Sequence, residues 1–194
     1  MKRVECNDAG LEAVAEVLLK GGIAVIPTDT VYGLAAHPSF PDAVKRLYTV
    51  KGREEGKPIA LLASDAEAVE RFGFRLSPEA QRLAAAHWPG ALTLVLSDGA
   101  KTEGFRIPDH EWTRELAARC GGVLRVTSAN LSGGEDAVEA TEAMNTVGLS
   151  ADIIADGGKS QIGTPSTVIL VDDGEAKILR QGTVRPCGLG RHRK

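Results

Sequence analysis

Side chains that could bind an anion are gathered in a few short loops of this sequence. One loop carries Lys51, Arg53 and Lys57. Clustered lysine and arginine, together with hydroxyl and amide donors, suit the oxygens of a polyphosphate better than a neutral ligand. The alternative interpretation of this loop is a solvated charge run with Glu54 and Glu55 as partners. The other candidates of the same kind are Thr102, Arg106, Ser128, Asn130, Ser166 and Arg180.

A second candidate lies between Ile23 and Ala36. Ile23 to Pro27 is predicted to be a short buried strand, because the apolar run is too brief for a helix and ends in proline. The polar loop Thr28-Asp29-Thr30 follows, and Gly33 permits a close backbone approach just after it. A strand that delivers hydroxyls into a loop, with the cationic loop one helix later, indicates a site for a small anionic ligand. An ordinary strand-to-helix turn is the alternative.

The elements that must position these groups alternate between helical and extended patterns. We predict an α/β domain, in which helices cover a sheet and ligands bind at loops that end the strands. Predicted helices cover Asp8–Leu19, 41–50, 65–71, 77–87, 112–119 and 141–147. Predicted strands after the first cover 59–63, 92–96, 105–108, 123–126, 153–154, 167–171 and 176–179.

The composition is typical of a globular domain and argues against several other classes of protein. The chain has 194 residues, with 43% hydrophobic and 25% charged residues, which is ordinary for one globular domain. A net charge of −3 argues against a protein that coats nucleic acid, so any basic surface must be local. No apolar run approaches the roughly 18 residues of a membrane span. The three cysteines are widely separated, which favours a reducing cytoplasm.

Several familiar sites are excluded by their spacing. Gly157-Gly158-Lys159-Ser160 resembles the end of a P-loop, but Ile153 stands where that motif needs glycine. The histidines have no metal-binding spacing, and no serine lies in a nucleophile elbow. We therefore expect neither a protein-bound metal site nor a covalent catalytic nucleophile.

Six motifs taken in order resemble the YrdC-like family of threonylcarbamoyl-AMP synthases, from about residue 10 to Gly182. The resemblance implies a twisted mixed sheet with flanking helices around a concave, positively charged pocket. It also implies a YrdC-like domain at 1–182, followed by a basic tail at 183–194 that we expect to be mobile. The motifs are PTDTVYGLA (27–35), KGR with KP (51–53, 57–58), WPGALTLVL (88–96), FRIPDH (105–110), TSANLSG (127–133) and PSTVI (165–169).

The resemblance also implies an activity. Family members join L-threonine, bicarbonate and ATP into threonylcarbamoyl-adenylate and release pyrophosphate, which makes them nucleotidyltransferases. Mg²⁺ would accompany ATP, and downstream tRNA-modifying proteins would pass the threonylcarbamoyl group to tRNA. We expect a cytoplasmic enzyme with at most weak direct contact with tRNA and none with membranes.

Residue roles follow from the same motifs. Thr30, Arg106 and Ser166 would bind L-threonine, with Arg106 pairing with its carboxylate. Two positions depart from the family pattern: Leu62 stands where some members have a histidine, and Asp136 lies near a basic or hydroxyl position. Residues implied for ATP are Lys51, Arg53, Lys57, Thr102, Ser128, Asn130 and Arg180.

Two other functions remain open from the sequence. One is an RNA-binding module of the same fold, although an aromatic content of 4% and the negative charge argue against it. The other is a paralogue that acts on a different carbamoyl or nucleotide substrate. The intact KGR and SAN motifs favour the synthase over this paralogue.

Overall fold

The computed structural model describes residues 2–54, 56–172 and 174–186. In these ranges the helices are α1 (Asp8–Leu19), α2 (Pro41–Lys51), α3 (Ala66–Arg71), α4 (Pro78–His87), α5 (Glu111–Arg119) and α6 (Ala140–Thr146), with a 3₁₀ turn at Gly148–Ser150. The strands are β1 (Lys2–Glu5), β2 (Ile23–Ile26), β3 (Gly33–Ala36), β4 (Leu61–Ala63), β5 (Leu92–Ser97), β6 (Thr102–Arg106), β7 (Val123–Ser128), β8 (Ile153–Asp156), β9 (Thr167–Asp172) and β10 (Glu175–Arg180).

Side-chain caps fix the starts of several helices. The Asn7 side chain accepts the backbone N–H of Gly10 at 2.9 Å and begins α1. Ser77 caps α4 in the same way, with proline as the first helical residue. Helix α2 ends at Gly52, whose φ of 60° is left-handed, and the chain turns there into the cationic loop.

The described strands form one mixed sheet in the order β1-β8-β2-β3-β7-β4-β6-β5-β9-β10. The pairs β2–β3, β3–β7 and β7–β4 are antiparallel, whereas β4–β6 and β5–β9 are parallel. The fold is therefore an α/β domain with a mixed sheet flanked by helices, as the sequence predicted.

Two halves of this sheet are covered differently. In the covered half (β8, β2 and β3), residues of one face pack with α2 and α6, and those of the other face pack with α1 and α5. In the open half (β4, β6, β5 and β9), one face packs on α3 and α4 through residues such as Leu94 and Phe105. Because successive side chains alternate between faces, Thr93 and Arg106 point away from that core. They line a cavity instead.

The structure adds two strands that the sequence analysis did not predict, β1 and β3. Strand β3 begins at Gly33, where the polar loop was expected to end. A Cβ on Gly33 would lie 2.5 Å from Cγ1 of Val126, so the expected close approach is there, between paired strands. The loop Thr28-Asp29-Thr30 is itself buried, with exposures of 3%, 2% and 1%.

The segment after β10 packs on the domain up to the end of the described residues. The Thr167 hydroxyl donates to the carbonyl of Val184 at 2.7 Å, and the backbone N–H of Gly182 donates back to that hydroxyl at 3.0 Å. Residues 183–186 of the predicted basic tail are thus joined to β9, and residues 187–194 lie outside the described part. The domain boundary and the mobility of the tail stay predictions.

In the described part of the chain, no helix combines the length and the apolar character needed to cross a membrane. Cys6 and Cys120 are both free thiols, and Cys120 is buried. Burial raises the pKa of Cys120 to about 11, so this thiol stays protonated at neutral pH.

Candidate functional site

A cavity of about 430 Å³ opens on the uncovered face of the open half. Its floor comes from alternate strand residues, among them Thr93 and Val95 on β5 and Gly104 on β6. Its described lining includes three arginines and no carboxylate, so the pocket is basic. The predicted site residues on its wall are Thr30, Arg53, Thr102, Arg106, Ser128, Ser166 and Arg180.

Arg106 is the most tightly held of these residues. It ends β6 and is 6% exposed. Its Nε donates to the carbonyl of Gly90 at 2.9 Å, its Nη1 donates to Oγ1 of Thr30 at 2.7 Å, and its Nη2 forms an ion pair with Asp29. A guanidinium has five N–H groups, so one remains on each Nη. Two N–H donors therefore stay available to a ligand, although Arg106 is buried.

The directions of the hydrogen bonds around Thr30 leave one lone pair of its hydroxyl oxygen free to accept. The Thr28 hydroxyl donates to the carbonyl of Val31 at 2.7 Å, because a carbonyl can only accept. In the 3.0 Å contact between the hydroxyls of Thr28 and Thr30, Thr30 must then donate. Its oxygen already accepts from Arg106 and has one lone pair left. Thr30 can thus accept from a ligand's ammonium or hydroxyl group.

A further polar cluster joins β5, β9 and β10. Oγ of Ser166 lies 2.8 Å from Oγ1 of Thr93, and both side chains are buried. The Arg180 guanidinium donates to the carbonyl of Ser166 through Nε at 3.2 Å and Nη2 at 2.8 Å. Arg180 is thereby fixed at the cavity wall with N–H groups to spare.

The cationic loop divides into two kinds of residue. Arg53 lines the cavity and donates to the carbonyls of Lys57 at 3.0 Å and Pro58 at 3.1 Å. The Lys57 ammonium is exposed and pairs with Glu54 at 3.1 Å, away from the cavity lining. For Lys57 the structure therefore matches the solvated-charge interpretation, and its contact with ATP stays a prediction.

Lys51 and Asn130 lie behind the cavity wall. Nζ of Lys51 is 2.8 Å from the carbonyl of Ser128 and 2.5 Å from Oδ1 of Asn130, and the lysine is 5% exposed. Burial lowers the pKa of Lys51 to about 8. These contacts fasten the end of α2 to the end of β7 and so hold the Ser128 loop. Direct contact of Lys51 or Asn130 with ATP stays a prediction.

The two departures from the family pattern both lie near the site. Leu62 is 5% exposed, lines the cavity and pairs in register with Arg106 on β6. An apolar side chain there offers no hydrogen bond to a ligand. The Asp136 carboxylate acts on Lys51 and Arg180 and partly offsets the lowering of their pKa values by burial. It therefore neutralises part of the positive charge instead of adding to it.

This arrangement can hold a small polar molecule and a polyphosphate in one cavity. Thr30 offers an acceptor and Arg106 keeps two donors beside it, which suits an ammonium and a carboxylate. Arg53, Arg180 and Ser128 offer donors for phosphate oxygens. Among the described residues, no group of three or more His, Cys, Asp or Glu side chains could hold a metal ion.

Comparisons with known proteins agree with this geometry. The Sua5/YciO/YrdC family model, described as "Telomere recombination", matches residues 16–182. The chain belongs to the Sua5/YciO/YrdC family. Threonylcarbamoyl-AMP synthase of Bacillus subtilis is 32% identical, over 92% of this chain and 55% of that protein. The enzyme of the same name from Bos taurus is 34% identical, over 88% of this chain and 66% of that protein.

A solved member of the Sua5/YciO/YrdC family gives the same fold. Sua5 from P. abyssi, crystallised in complex with L-threonine, superposes with a TM-score of 0.85 at 30% identity. The match covers 93% of this chain and 57% of that one. The present chain therefore spans little more than half of the Bacillus and P. abyssi relatives.

Three contributors to the site were given no individual role from the sequence, although Asp29 lies in the loop that was proposed as a candidate site. They are Asp29 and the Gly90 carbonyl, which hold Arg106, and Thr93, which contacts Ser166. The PTDT and WPGALT segments were noticed, but only pairing across the sheet brings them to Arg106 and Ser166. A polar residue alternating with apolar ones in LTLVL was the available signal for Thr93.

Proposed function

We propose that this protein is an L-threonylcarbamoyladenylate synthase, a nucleotidyltransferase that joins L-threonine, bicarbonate and ATP with release of pyrophosphate. The observation that carries the proposal is one cavity that combines the Thr30–Arg106 pair with the cations Arg53 and Arg180. The names of the Bacillus and Bos relatives and the L-threonine complex of P. abyssi Sua5 support it. Because the chain spans only part of each of these three proteins, the activity is inferred for this domain.

Arg106 and Thr30 would bind the amino acid. The two free N–H groups of Arg106 pair with the α-carboxylate, and the remaining lone pair of Thr30 accepts from the amine or the hydroxyl. Ser166 lies on the same cavity wall and adds a hydroxyl. Leu62 gives the site an apolar surface, which suits the methyl group that distinguishes threonine from serine.

The reaction needs positioning and charge neutralisation more than covalent help. The threonine amine combines with CO₂ or bicarbonate to give a carbamate, whose oxygen attacks the α-phosphorus while pyrophosphate leaves. Arg53 and Arg180 neutralise the phosphate oxygens, and Thr102 and Ser128 donate to them. Mg²⁺ would enter as part of the Mg–ATP substrate and would help to neutralise its phosphates.

Pyrophosphate release tests this proposal. Purified protein should release pyrophosphate from Mg–ATP when L-threonine and bicarbonate are both present, and little when either is omitted. L-serine serves as the matched substrate, because it lacks only the methyl group. Equal release with L-serine or without an amino acid contradicts the proposal, as does formation of a different adenylate in the product analysed by mass spectrometry.

Partners follow from the product. A threonylcarbamoyl-adenylate is a reactive mixed anhydride, so a tRNA-modifying transferase must accept it soon after release. We infer that this transferase, and not a basic surface of this chain, contacts tRNA tightly, in keeping with the net charge of −3. A cytoplasmic location fits the free thiols of Cys6 and Cys120.

A further inference from the structure

The buried carboxylate of Asp29 is not used by the proposed reaction. Asp29 is 2% exposed, and one of its oxygens, Oδ1, pairs with Nη2 of Arg106. Its other oxygen, Oδ2, is buried and has no hydrogen-bond partner in the described part of the chain. A buried carboxylate oxygen without a partner costs free energy, so the position of Asp29 calls for a reason.

A second, partly buried arginine–carboxylate pair shows what an ordinary structural contact looks like here. Arg125 on β7 and Glu103 on β6 pair through both guanidinium ends, at 2.6 Å for Nη1 and 2.7 Å for Nη2. Both carboxylate oxygens of Glu103 are used, and Arg125 does not line the cavity. This bidentate pair satisfies both partners and turns the paired donors of the arginine away from any ligand.

The contact of Asp29 with Arg106 differs from that of Glu103 with Arg125, because Asp29 occupies only one of the terminal nitrogens of its arginine. Asp29 takes one N–H of Nη2 only, Thr30 takes one of Nη1, and Gly90 takes the single N–H of Nε. Three acceptors on three nitrogens fix the plane of the guanidinium. One N–H group is left over on Nη1 and one on Nη2, so both terminal nitrogens of the guanidinium keep a donor.

We propose that Asp29 is a positioning residue, which fixes the Arg106 guanidinium so that its last two N–H groups face the cavity as a fork for the α-carboxylate of the amino acid. A bidentate contact like that of Glu103 would consume the fork, and without the charged acceptor on Nη2 the guanidinium would rotate more readily against its two remaining hydrogen bonds. This inference rests on the proposed function for the identity of the ligand but not for the geometry. Asp29 acts through Arg106 and need not touch the substrate.

Ligand binding by matched variants tests the inference. Asp29→Asn keeps the size of the side chain and removes its charge, and Glu103→Gln makes the same change in the control pair. Affinities are measured by calorimetry or NMR titration for L-threonine and for L-threoninamide, which lacks the carboxylate. We expect Asp29→Asn to weaken L-threonine binding about tenfold or more, the scale of a charged hydrogen bond, and to change L-threoninamide binding by less than about threefold. Glu103→Gln should leave both affinities unchanged.

The alternatives give different results. If Asp29 only balanced charge, Asp29→Asn would leave Arg106 uncompensated and would tighten L-threonine binding. If the substitution only damaged the site, both ligands would weaken equally. Either result overturns the inference.

A second measurement observes Arg106 directly and needs no bound ligand. In ¹⁵N-arginine NMR spectra, a fixed guanidinium gives separate Nη1 and Nη2 signals, which merge when it rotates freely. We expect separate Arg106 signals in the wild type and in Thr30→Val, and merged signals in Asp29→Asn. Thr30→Val also serves if Asp29→Asn does not fold, since merged signals in Thr30→Val or in the wild type overturn the inference. If L-threonine does not bind the wild type but these NMR results hold, the proposed function fails and the positioning role stands.

Discussion

The covered and the open half of the sheet are built from strands of different pattern. In the covered half, β2 (IAVI) and β3 (GLAA) have every residue buried, because helices pack on both faces. In the open half, β5 (LTLVLS) alternates, with leucines in the core and Thr93 and Val95 at the cavity. The site therefore occupies the part of the sheet where β5, β6 and β9 pack on the core through one face and line the cavity through the other.

This difference means that the two halves of the sheet contribute differently to the stability of the fold and to ligand binding. Two-sided burial of apolar residues supplies stabilising free energy in the covered half. The polar residues of the open half are buried as well, and they form hydrogen bonds with one another and with neighbouring loops, as in Arg106 with Thr30 and Thr93 with Ser166. A substitution in the open half should therefore act on stability or on binding according to the face on which it lies.

The largest effect should come from the core face of the open half. Leu94 is fully buried against α3 and α4, whereas Val95 next to it is only partly buried and faces the cavity. Leu94→Ala should lower the free energy of unfolding by about 2–5 kcal/mol. Val95→Ala should lower it by less than about 1 kcal/mol, because it deletes fewer buried methyl groups. Urea denaturation followed by circular dichroism measures both.

Ligand binding completes this comparison. Val95→Ala should change ATP affinity, because the side chain forms part of the cavity floor, while Leu94→Ala should leave the affinity of the folded fraction unchanged. Equal losses of stability in the two variants would mean that the cavity face of β5 is as tightly packed as its core face.

Much of the fold could be predicted from the sequence. Helix α1 spans the predicted Asp8–Leu19 because a capping residue, an apolar stripe and a glycine pair mark both its ends. Strand β5 was predicted because its apolar run is long enough to be distinctive. Cavity residues were also recovered where they lie at strand ends, as with Ser128 at the end of β7 and Ser166 just before β9.

The parts of the fold and of the site that could not be predicted depend on contacts between segments that are distant in the sequence. Strand β3 (GLAA) lacks β-branched and aromatic residues and exists because β2 and β7 pair with it on both sides. Strand β1 (KRVE) is mostly exposed and is held by pairing with β8 at the edge of the sheet. Lys51 looks like a surface cation in the sequence, and only the proximity of Ser128 and Asn130 shows that it is buried. Local sequence pattern carries no signal for any of these three.

A smaller effect, on ATP affinity, should differ between Arg53 and Lys57 of the cationic loop. Arg53 lines the cavity, and Lys57 points to solvent toward Glu54. Arg53→Ala should weaken ATP binding by about 1.5–3 kcal/mol, the scale of a lost charged hydrogen bond. Lys57→Ala is the matched control and should change it by less than about 0.5 kcal/mol, since exposed ion pairs contribute little. Titration of ATP by calorimetry gives both values, and equal losses would mean that the loop binds ATP only through its total charge.

The last effect depends on pH and concerns Lys51, which joins α2 of the covered half to the end of β7. Burial lowers its pKa from 10.5 to about 8 in the folded protein. Between these pH values the unfolded chain holds the proton more tightly than the folded one, so the folded state gains stability as the pH rises. The stability of the wild type relative to Lys51→Met should therefore increase from pH 8 to pH 10.5 and stay level below pH 8. Lys45→Met, on the exposed side of α2, is the control and should show no such increase. Urea denaturation at both pH values measures the difference, and a decrease would mean that the oxygens of Ser128 and Asn130 stabilise the charged amine by more than its burial costs.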